Sequence, residues 1–169
     1  RLDLAMHDES AVRSLSAVRH VLDYLKPARR TQVGILGTSL GALTSSLVLG
    51  FDARVNTAVL IVGGVGMPEI IARSQEKGVS ALRDARMKAF GYHSPEEYLA
   101  ALKASVKIEA ADFVDFSGPK KVLAFVGTKD VTVPTENQLQ LVRDFSAESE
   151  EYARSEEHTS ELQSRLHLV

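Results

Sequence analysis

The chain has 169 residues, a length that suits one domain with a real core. Its hydrophobic share of 44% is ordinary for a globular protein, and its net charge of −2 gives no reason to expect a nucleic-acid or anionic-membrane partner. We find neither a signal peptide nor the run of about 20 apolar residues that a membrane helix needs, so we expect a cytoplasmic protein. With no cysteine, disulfides, thiolate metal sites and a cysteine nucleophile are excluded.

The first part of the chain alternates helix and strand patterns. Ser10 can cap a first amphipathic helix. Continuous apolar runs at 32–36 and 57–62 indicate buried strands, and a helix of small and aliphatic residues over 40–49, ended by Gly50, lies between them. This order predicts a right-handed crossover between parallel strands. Because neither strand alternates, we expect a sheet with helices on both faces.

The second part predicts a long helical excursion followed by a third strand. Residues 67–116 form this helical insertion, which we expect over the edge of the sheet, and Ser94 caps one of its helices. A buried strand follows at 122–126, and Thr135 with Gln138 makes a capping box for a further helix. These elements predict an α/β fold with three parallel strands.

The segment Gly37-Thr38-Ser39-Leu40-Gly41 joins the first strand to its helix and matches the Gly-x-Ser-x-Gly pattern of a nucleophile elbow. Such a turn exposes the oxygen of Ser39 at the carboxyl edge of the sheet, and we expect both flanking glycines where neighbouring backbone leaves no room for a Cβ. The N–H of Leu40, at the helix start, would be one oxyanion donor.

A dinucleotide-binding loop is the main alternative for this glycine-rich turn, since such folds place phosphate at a strand-to-helix junction. The spacing of Gly34, Gly37 and Gly41 does not fit G-x-G-x-x-G, and no acidic residue ends the next strand to hold a ribose. The sequence therefore favours the elbow.

Asp130 is the candidate acid of a catalytic triad, because it follows a later strand in a loop that ends with a proline. A carboxylate there would orient an imidazole and stabilise its cation. A turn aspartate that hydrogen-bonds its own loop is the simpler interpretation. Glu69 competes for the role, although a glutamate in a first helical turn usually complements the helix dipole.

The general base of the triad is missing. The chain order nucleophile, acid, histidine disqualifies His7, His20 and His93, which all precede Asp130. His158 and His167 follow it, but they lie in the run that begins at Arg154 and resembles the translation of a widely used sequencing adapter. We expect residues 154–169 to be foreign to the protein, rather than a charged helical tail, and exclude them.

From about Ser10 to Phe145 the chain resembles bacterial α/β-hydrolases of the dienelactone-hydrolase and acetyl-xylan-esterase-like kind. The matching features are Gly-Thr-Ser-Leu-Gly-Ala at 37–42, Asp-Ala-Arg-Val at 52–55, and Gly-Thr-Lys-Asp with a following Val-Pro at 127–134. The resemblance implies a three-layer fold with Ser39 as nucleophile and Asp130 as acid. It also implies a final strand and a Gly-His turn beyond Phe145, so we assign residues 1–153 to a domain truncated at both ends.

The function that these residues predict is hydrolysis of a small-molecule carboxylic ester or thioester through an acyl-enzyme, with no metal or organic cofactor and no membrane partner. Without its histidine, we expect this chain itself to be inactive. A non-catalytic ligand-binding relative, or an acyltransferase or peptidase of the same fold, remains the alternative. Apolar residues of the insertion could line an acyl pocket: Ile70, Ile71, Met87, Phe90 and Tyr92.

Overall fold

The computed structural model describes residues 2–25, 33–114 and 120–152, and within them helices and strands alternate. The expected tail at 154–169 and the end of the expected insertion at 115–116 lie outside these ranges. In chain order the elements are α1 (Met6–Tyr24), β1 (Val33–Thr38), α2 (Leu40–Phe51), β2 (Val55–Ile61), α3 (Met67–Arg73), α4 (Lys77–Phe90), α5 (Pro95–Ser105), a short 3-10 helix (Ala110–Phe113), β3 (Lys121–Gly127), α6 (Thr135–Asp144) and β4 (Glu148–Tyr152).

The four strands form one sheet in the order β1-β2-β3-β4, and every neighbouring pair is parallel. The predicted α/β class and the parallel crossover are thus confirmed. The sequence predicted three strands and missed β4, because the run Glu148-Ser149-Glu150-Glu151-Tyr152 has no apolar pattern. Parallel pairing with β3, rather than local preference, makes it a strand.

The main core lies on one face of the sheet, where α1, α2, α6 and the 3-10 helix pack. On the other face, register places Leu36, Val59 and Leu123 side by side. The described residues cover this second face only in part, since Leu36 is 57% exposed and its two neighbours are half-buried. From these apolar runs the sequence predicted helices on both faces of the sheet. Within the described residues, helices cover the first face and leave the second partly open.

Two helix boundaries differ from the sequence prediction. α1 begins at Met6 after Ala5, four residues before the expected Ser10 cap. α2 continues through Gly50, which the sequence placed beyond the helix end. A Cβ on Gly50 would lie 3.1 Å from the Cβ of Phe113, so this glycine allows close packing of the 3-10 helix rather than ending α2.

The segment between β2 and β3 is helical, as predicted, and carries its own small core. The predicted cap is confirmed: the hydroxyl of Ser94 accepts a hydrogen bond from the Glu97 N–H at 3.1 Å, and α5 begins at the next residue. Tyr98 and Leu102 of α5 are fully buried against Ile71 of α3. This packing fixes α3 beside the carboxyl edge of the sheet.

Candidate active site

Ser39 lies in the turn between β1 and α2, in a backbone conformation that residues with a side chain rarely adopt. Its φ is 51° and its ψ is −119°. Its N–H donates to the carbonyl of Ile61 at 2.8 Å, which extends the β1–β2 pairing to the turn. Its hydroxyl makes no capping hydrogen bond with α2, unlike a typical serine at a helix start. The side chain is therefore not occupied by a structural role in the helix.

The two glycines of the turn have different roles. A Cβ on Gly37 would lie 2.3 Å from the carbonyl oxygen of Gly41 and 2.5 Å from the hydroxyl oxygen of Ser45, so only glycine fits there. Nothing lies within 4 Å of a Cβ added to Gly41. The predicted steric requirement is correct for the first glycine and wrong for the second.

Leu40 is the first residue of α2, so its N–H precedes the hydrogen-bonded ladder of the helix and has no acceptor within it. Its side chain is 72% exposed. An N–H in this position points toward the space in front of the helix, where the helix dipole favours negative charge. The geometry is compatible with the predicted oxyanion donor.

Asp130 lies in the loop that follows β3, and this carboxylate organises the loop. Its Oδ1 accepts hydrogen bonds from the N–H groups of Thr132 at 2.8 Å and Val133 at 2.6 Å. The simpler interpretation, an aspartate that hydrogen-bonds its own turn, is therefore correct for Oδ1. Both bonds are accepted by the same oxygen of the carboxylate.

Gln138 fixes both ends of the Asp130 loop. This fully buried side chain accepts from the Gly127 N–H at 2.8 Å, and it donates to the carbonyls of Gly127 and Val133 at 3.2 and 2.8 Å. The predicted capping box of Thr135 and Gln138 is wrong, because Pro134 precedes α6 and no side chain caps it. The sequence pattern singled out Gln138 only for this capping box and did not indicate its true role, because its partners are backbone groups that only the folded loop brings together.

Ser39 and Asp130 follow β1 and β3, which are both neighbours of β2 in the sheet. Strands in a sheet are about 4.8 Å apart, so the backbones of β1 and β3 are separated by roughly 10 Å at this edge. Between them, Val62 follows β2 with a φ of 53°, an unusual value for a β-branched residue. The carboxyl edge thus has two strained residues on adjacent strands, a feature often found at functional sites.

A cavity of about 370 Å³ opens beside Ser39. Most of its wall is apolar and comes from α1, α2, α3 and the segment around the 3-10 helix, including Leu43, Ile70, Ile71 and Ile108. Two of the five predicted pocket residues, Ile70 and Ile71, line it. The other three are not among its lining residues: Met87 and Tyr92 pack against the core of the helical segment, and Phe90 is 51% exposed.

Glu109 adds a carboxylate to the wall of this cavity. It accepts hydrogen bonds from the N–H groups of Met67 at 2.8 Å and Gly66 at 3.2 Å. Burial raises the pKa of Glu109 to about 7, and the negative charges of Glu69 and Asp112 act in the same direction. No sequence pattern pointed to Glu109, since a single glutamate in a helical segment resembles any surface residue.

Comparisons with solved structures extend this description. The chain superimposes on an acetyl xylan esterase from Paenibacillus sp. R4 with a TM-score of 0.73 at 13% identity, covering 99% of this chain and 54% of that one. An esterase of Pyrococcus furiosus gives 0.57 at 18%, covering 96% and 60%, and an enol-lactonase from Burkholderia xenovorans LB400 gives 0.54 at 18%, covering 90% and 68%. No family model and no curated protein matches the sequence.

The chain has an α/β-hydrolase fold. It spans about half the length of the acetyl xylan esterase that it matches. The turn at Ser39 follows β1 and the loop at Asp130 follows β3, so both lie at the same edge of the sheet.

His7 is the histidine that the structure brings to this cavity. Its Nε2 lies 2.8 Å from Nη1 of Arg86, and because a guanidinium can only donate, the imidazole is the acceptor. Burial, followed by the charge of Arg86, lowers the pKa of His7. An imidazole whose acceptor nitrogen faces an arginine is poorly placed to remove a proton from serine. The other two histidines of the described ranges, His20 and His93, are exposed.

Glu69, the other candidate acid, forms an ion pair away from Ser39. Its Oε1 lies 2.6 Å from Nζ of Lys103, and it borders a separate groove that Ser39 does not line.

Within the described ranges, no cluster of three or more potential metal-ligating side chains occurs. No helix in those ranges is both long and apolar enough to cross a bilayer.

Proposed function

We propose that this chain belongs to a serine hydrolase that cleaves carboxylic ester or thioester bonds through an acyl-enzyme. The observation that carries the proposal is the strained backbone of Ser39 at the end of β1, with its hydroxyl free of helix capping and bordering a cavity. A strained conformation persists only where the surrounding structure imposes it, and such strain is concentrated at functional sites. The esterases among the similar structures add support for the ester class.

The proposed reaction begins with attack of the Ser39 hydroxyl on the acyl carbonyl. The Leu40 N–H would stabilise the oxyanion, and Asp130 would orient a histidine that takes the serine proton and then protonates the leaving group. Water would release the acid from the acyl-enzyme in a second, equivalent step. No described histidine is placed for this role, and His158 and His167 lie in the run from Arg154 that we expect to be foreign to the protein. On this basis we expect the 169-residue chain to be inactive. Losing the base of a triad reduces the rate by orders of magnitude.

Fluorophosphonate labelling with and without added imidazole tests the proposal. Imidazole can replace the missing base, so we expect slow labelling of the wild-type chain that imidazole accelerates, with the label on Ser39 by mass spectrometry. Ser39→Ala should abolish the accelerated labelling. Ser10→Ala, which alters another hydroxyl on the same cavity, should leave it unchanged. Labelling that survives in Ser39→Ala would refute the nucleophile. Rapid labelling without imidazole would refute only the inactivity.

A ligand-binding protein without catalysis is the second candidate, favoured by the engagement of His7 with Arg86. An acyltransferase or peptidase of the same fold would use the same serine and differ in the acceptor or leaving group. The labelling experiment separates the first alternative, because a binding protein would show no imidazole-dependent reaction at Ser39. Cytoplasmic location stays a prediction.

A further inference from the structure

The cavity beside Ser39 has an uneven distribution of charge. Its lining residues, all in the described part of the chain, include the carboxyl group of Glu109 and the neutral imidazole of His7, but no lysine or arginine. Apolar side chains provide most of the remaining wall. A cavity of about 370 Å³ with this lining suits an apolar group, and its single ionisable acid determines which charge the cavity accepts.

Glu109 has no cationic partner among the described residues. Its hydrogen-bond donors are the backbone N–H groups of Gly66 and Met67, which hold the carboxyl group against the start of α3. The charged neighbours that act on it are the acids Glu69 and Asp112. The nearby ammonium of Lys103 is paired with Glu69. A negative charge on Glu109 is therefore balanced by dipoles alone, and a second anion in the cavity would meet repulsion in a partly desolvated setting.

We propose that this cavity binds the acyl group of an uncharged acid, and that Glu109 is a specificity-determining residue that excludes acyl groups carrying a second carboxylate. The inference rests on the proposed function of Ser39, because the acyl group must lie beside the nucleophile. It assigns the substrate class: esters or thioesters of aliphatic acids without a further negative charge. Esters of dicarboxylic acids are poor substrates on this basis.

Binding of hexanol and hexanoate to the 169-residue chain tests the pocket without requiring catalysis. Hexanol stays uncharged and hexanoate stays ionised between about pH 6 and about pH 8.5, so a change in their relative affinity reports groups of the protein. Titration calorimetry on the wild-type chain should give a Kd for hexanoate at least about tenfold above that of hexanol at the higher pH. The ratio should fall several-fold at the lower pH, where Glu109 is protonated.

Matched variants assign the effect. Glu109→Gln keeps the shape of the side chain, so the ratio of the hexanoate Kd to the hexanol Kd should be low and independent of pH. Asp84→Asn removes an exposed acid that neither lines the cavity nor acts on Glu109, so it should behave as wild type. His7→Gln should retain the pH effect if Glu109 is its source. Equal binding of both ligands at the higher pH, an unchanged ratio in Glu109→Gln, or failure of hexanol to bind would each overturn the inference.

The same series separates this inference from the proposed function. Ser39→Ala should keep the ratio of the hexanoate Kd to the hexanol Kd and its pH dependence, because these depend on Glu109 and not on the Ser39 hydroxyl. If the wild-type chain prefers hexanol over hexanoate but shows no imidazole-dependent labelling, Ser39 is refuted as the nucleophile and the proposed pocket is supported. If Ser39 is labelled in an imidazole-dependent way but hexanol does not bind, the proposed pocket is refuted and Ser39 is supported as the nucleophile.

Discussion

Within the described ranges, two serines directly precede helices, and only one of their hydroxyl groups caps the helix that follows. Ser94 is extended, and its oxygen accepts the Glu97 N–H at the start of α5. Ser39 has a positive φ, and its oxygen caps nothing in α2. A serine kept at a helix start without a capping bond contributes little to stability through its hydroxyl. The contrast gives a direct test of whether Ser39 is structural.

We expect Ser39→Ala to change the free energy of unfolding by less than about 0.5 kcal/mol, and Ser94→Ala to lower it by about 1 kcal/mol, the usual cost of a lost cap. Alanine keeps the positive φ at residue 39, so the backbone strain is the same in both chains. Urea unfolding followed by circular dichroism measures both values. A loss in Ser39→Ala as large as that in Ser94→Ala would mean that the Ser39 hydroxyl stabilises the fold.

At the scale of single residues, the sequence predicted the position of those site residues that belong to a short, local motif. The Gly-x-Ser-x-Gly spacing placed Ser39 and Leu40 at a strand-to-helix turn, which the structure confirms. Glu109 and the loop-holding role of Gln138 could not be found this way. Glu109 is held by amides more than 40 residues away in sequence, and Gln138 binds the two ends of a loop. Their roles depend on contacts that no periodicity encodes.

At the scale of elements, an ion-pair network joins the end of α2, the start of β2 and the last turns of α1. Asp52 is 6% exposed and lies 2.6 Å from Nη2 of Arg54 and 3.4 Å from Nε of Arg19. Arg54 also pairs with Asp23 of α1. The hydrogen bond from Arg54 is the main cause that lowers the pKa of Asp52. Through these ion pairs, the Asp-Ala-Arg-Val segment of the resemblance joins α2, β2 and α1.

We expect Arg54→Ala to lower the free energy of unfolding by about 1–3 kcal/mol, because the buried Asp52 carboxylate loses its best donors. Arg54→Lys should recover little of this, since an ammonium cannot reproduce the forked geometry. Arg143→Ala is the matched control: its pair with Glu136 is exposed, and its loss should cost less than about 0.5 kcal/mol. Urea denaturation compares them, and equal losses in the two alanine variants would contradict the role of the network.

Elements were predictable where hydrophobic pattern and local signals agreed, as at β2, β3 and the Ser94 start of α5. They were missed where tertiary packing decides. β4 is a polar run that becomes a strand beside β3, and Gly50 continues α2 because Phe113 packs against it. In each case the deciding partner is distant in sequence, so the local signal was either absent or misleading.

At the scale of the whole molecule, the pKa values of two groups on one cavity are shifted in opposite directions. Burial and the charge of Arg86 lower the pKa of His7, so the folded chain favours the neutral imidazole. Burial raises the pKa of Glu109 from its ordinary value near 4.5 to about 7, so the folded chain favours the neutral acid. Both shifts have the same physical origin, which is the cost of a charge in a poorly solvated wall.

These shifts predict opposite pH dependences of stability. Between about pH 4.5 and 7 the folded chain binds more protons at Glu109 than the unfolded chain does, so this group lowers stability as pH rises. Below its ordinary pKa of 6.5, the unfolded chain binds more protons at His7, so this group lowers stability as pH falls. Each neutralising substitution should therefore remove one of the two trends and reveal the other.

Unfolding free energies measured from about pH 5 to about pH 8 in wild type, Glu109→Gln and His7→Gln would test this. Relative to wild type, the Glu109→Gln curve should rise more steeply with pH, and the His7→Gln curve should rise less steeply or fall. Parallel curves for all three chains would mean that neither group is desolvated in the folded protein. In that case the cavity beside Ser39 is open to solvent, and its wall cannot discriminate between charged and uncharged acyl groups.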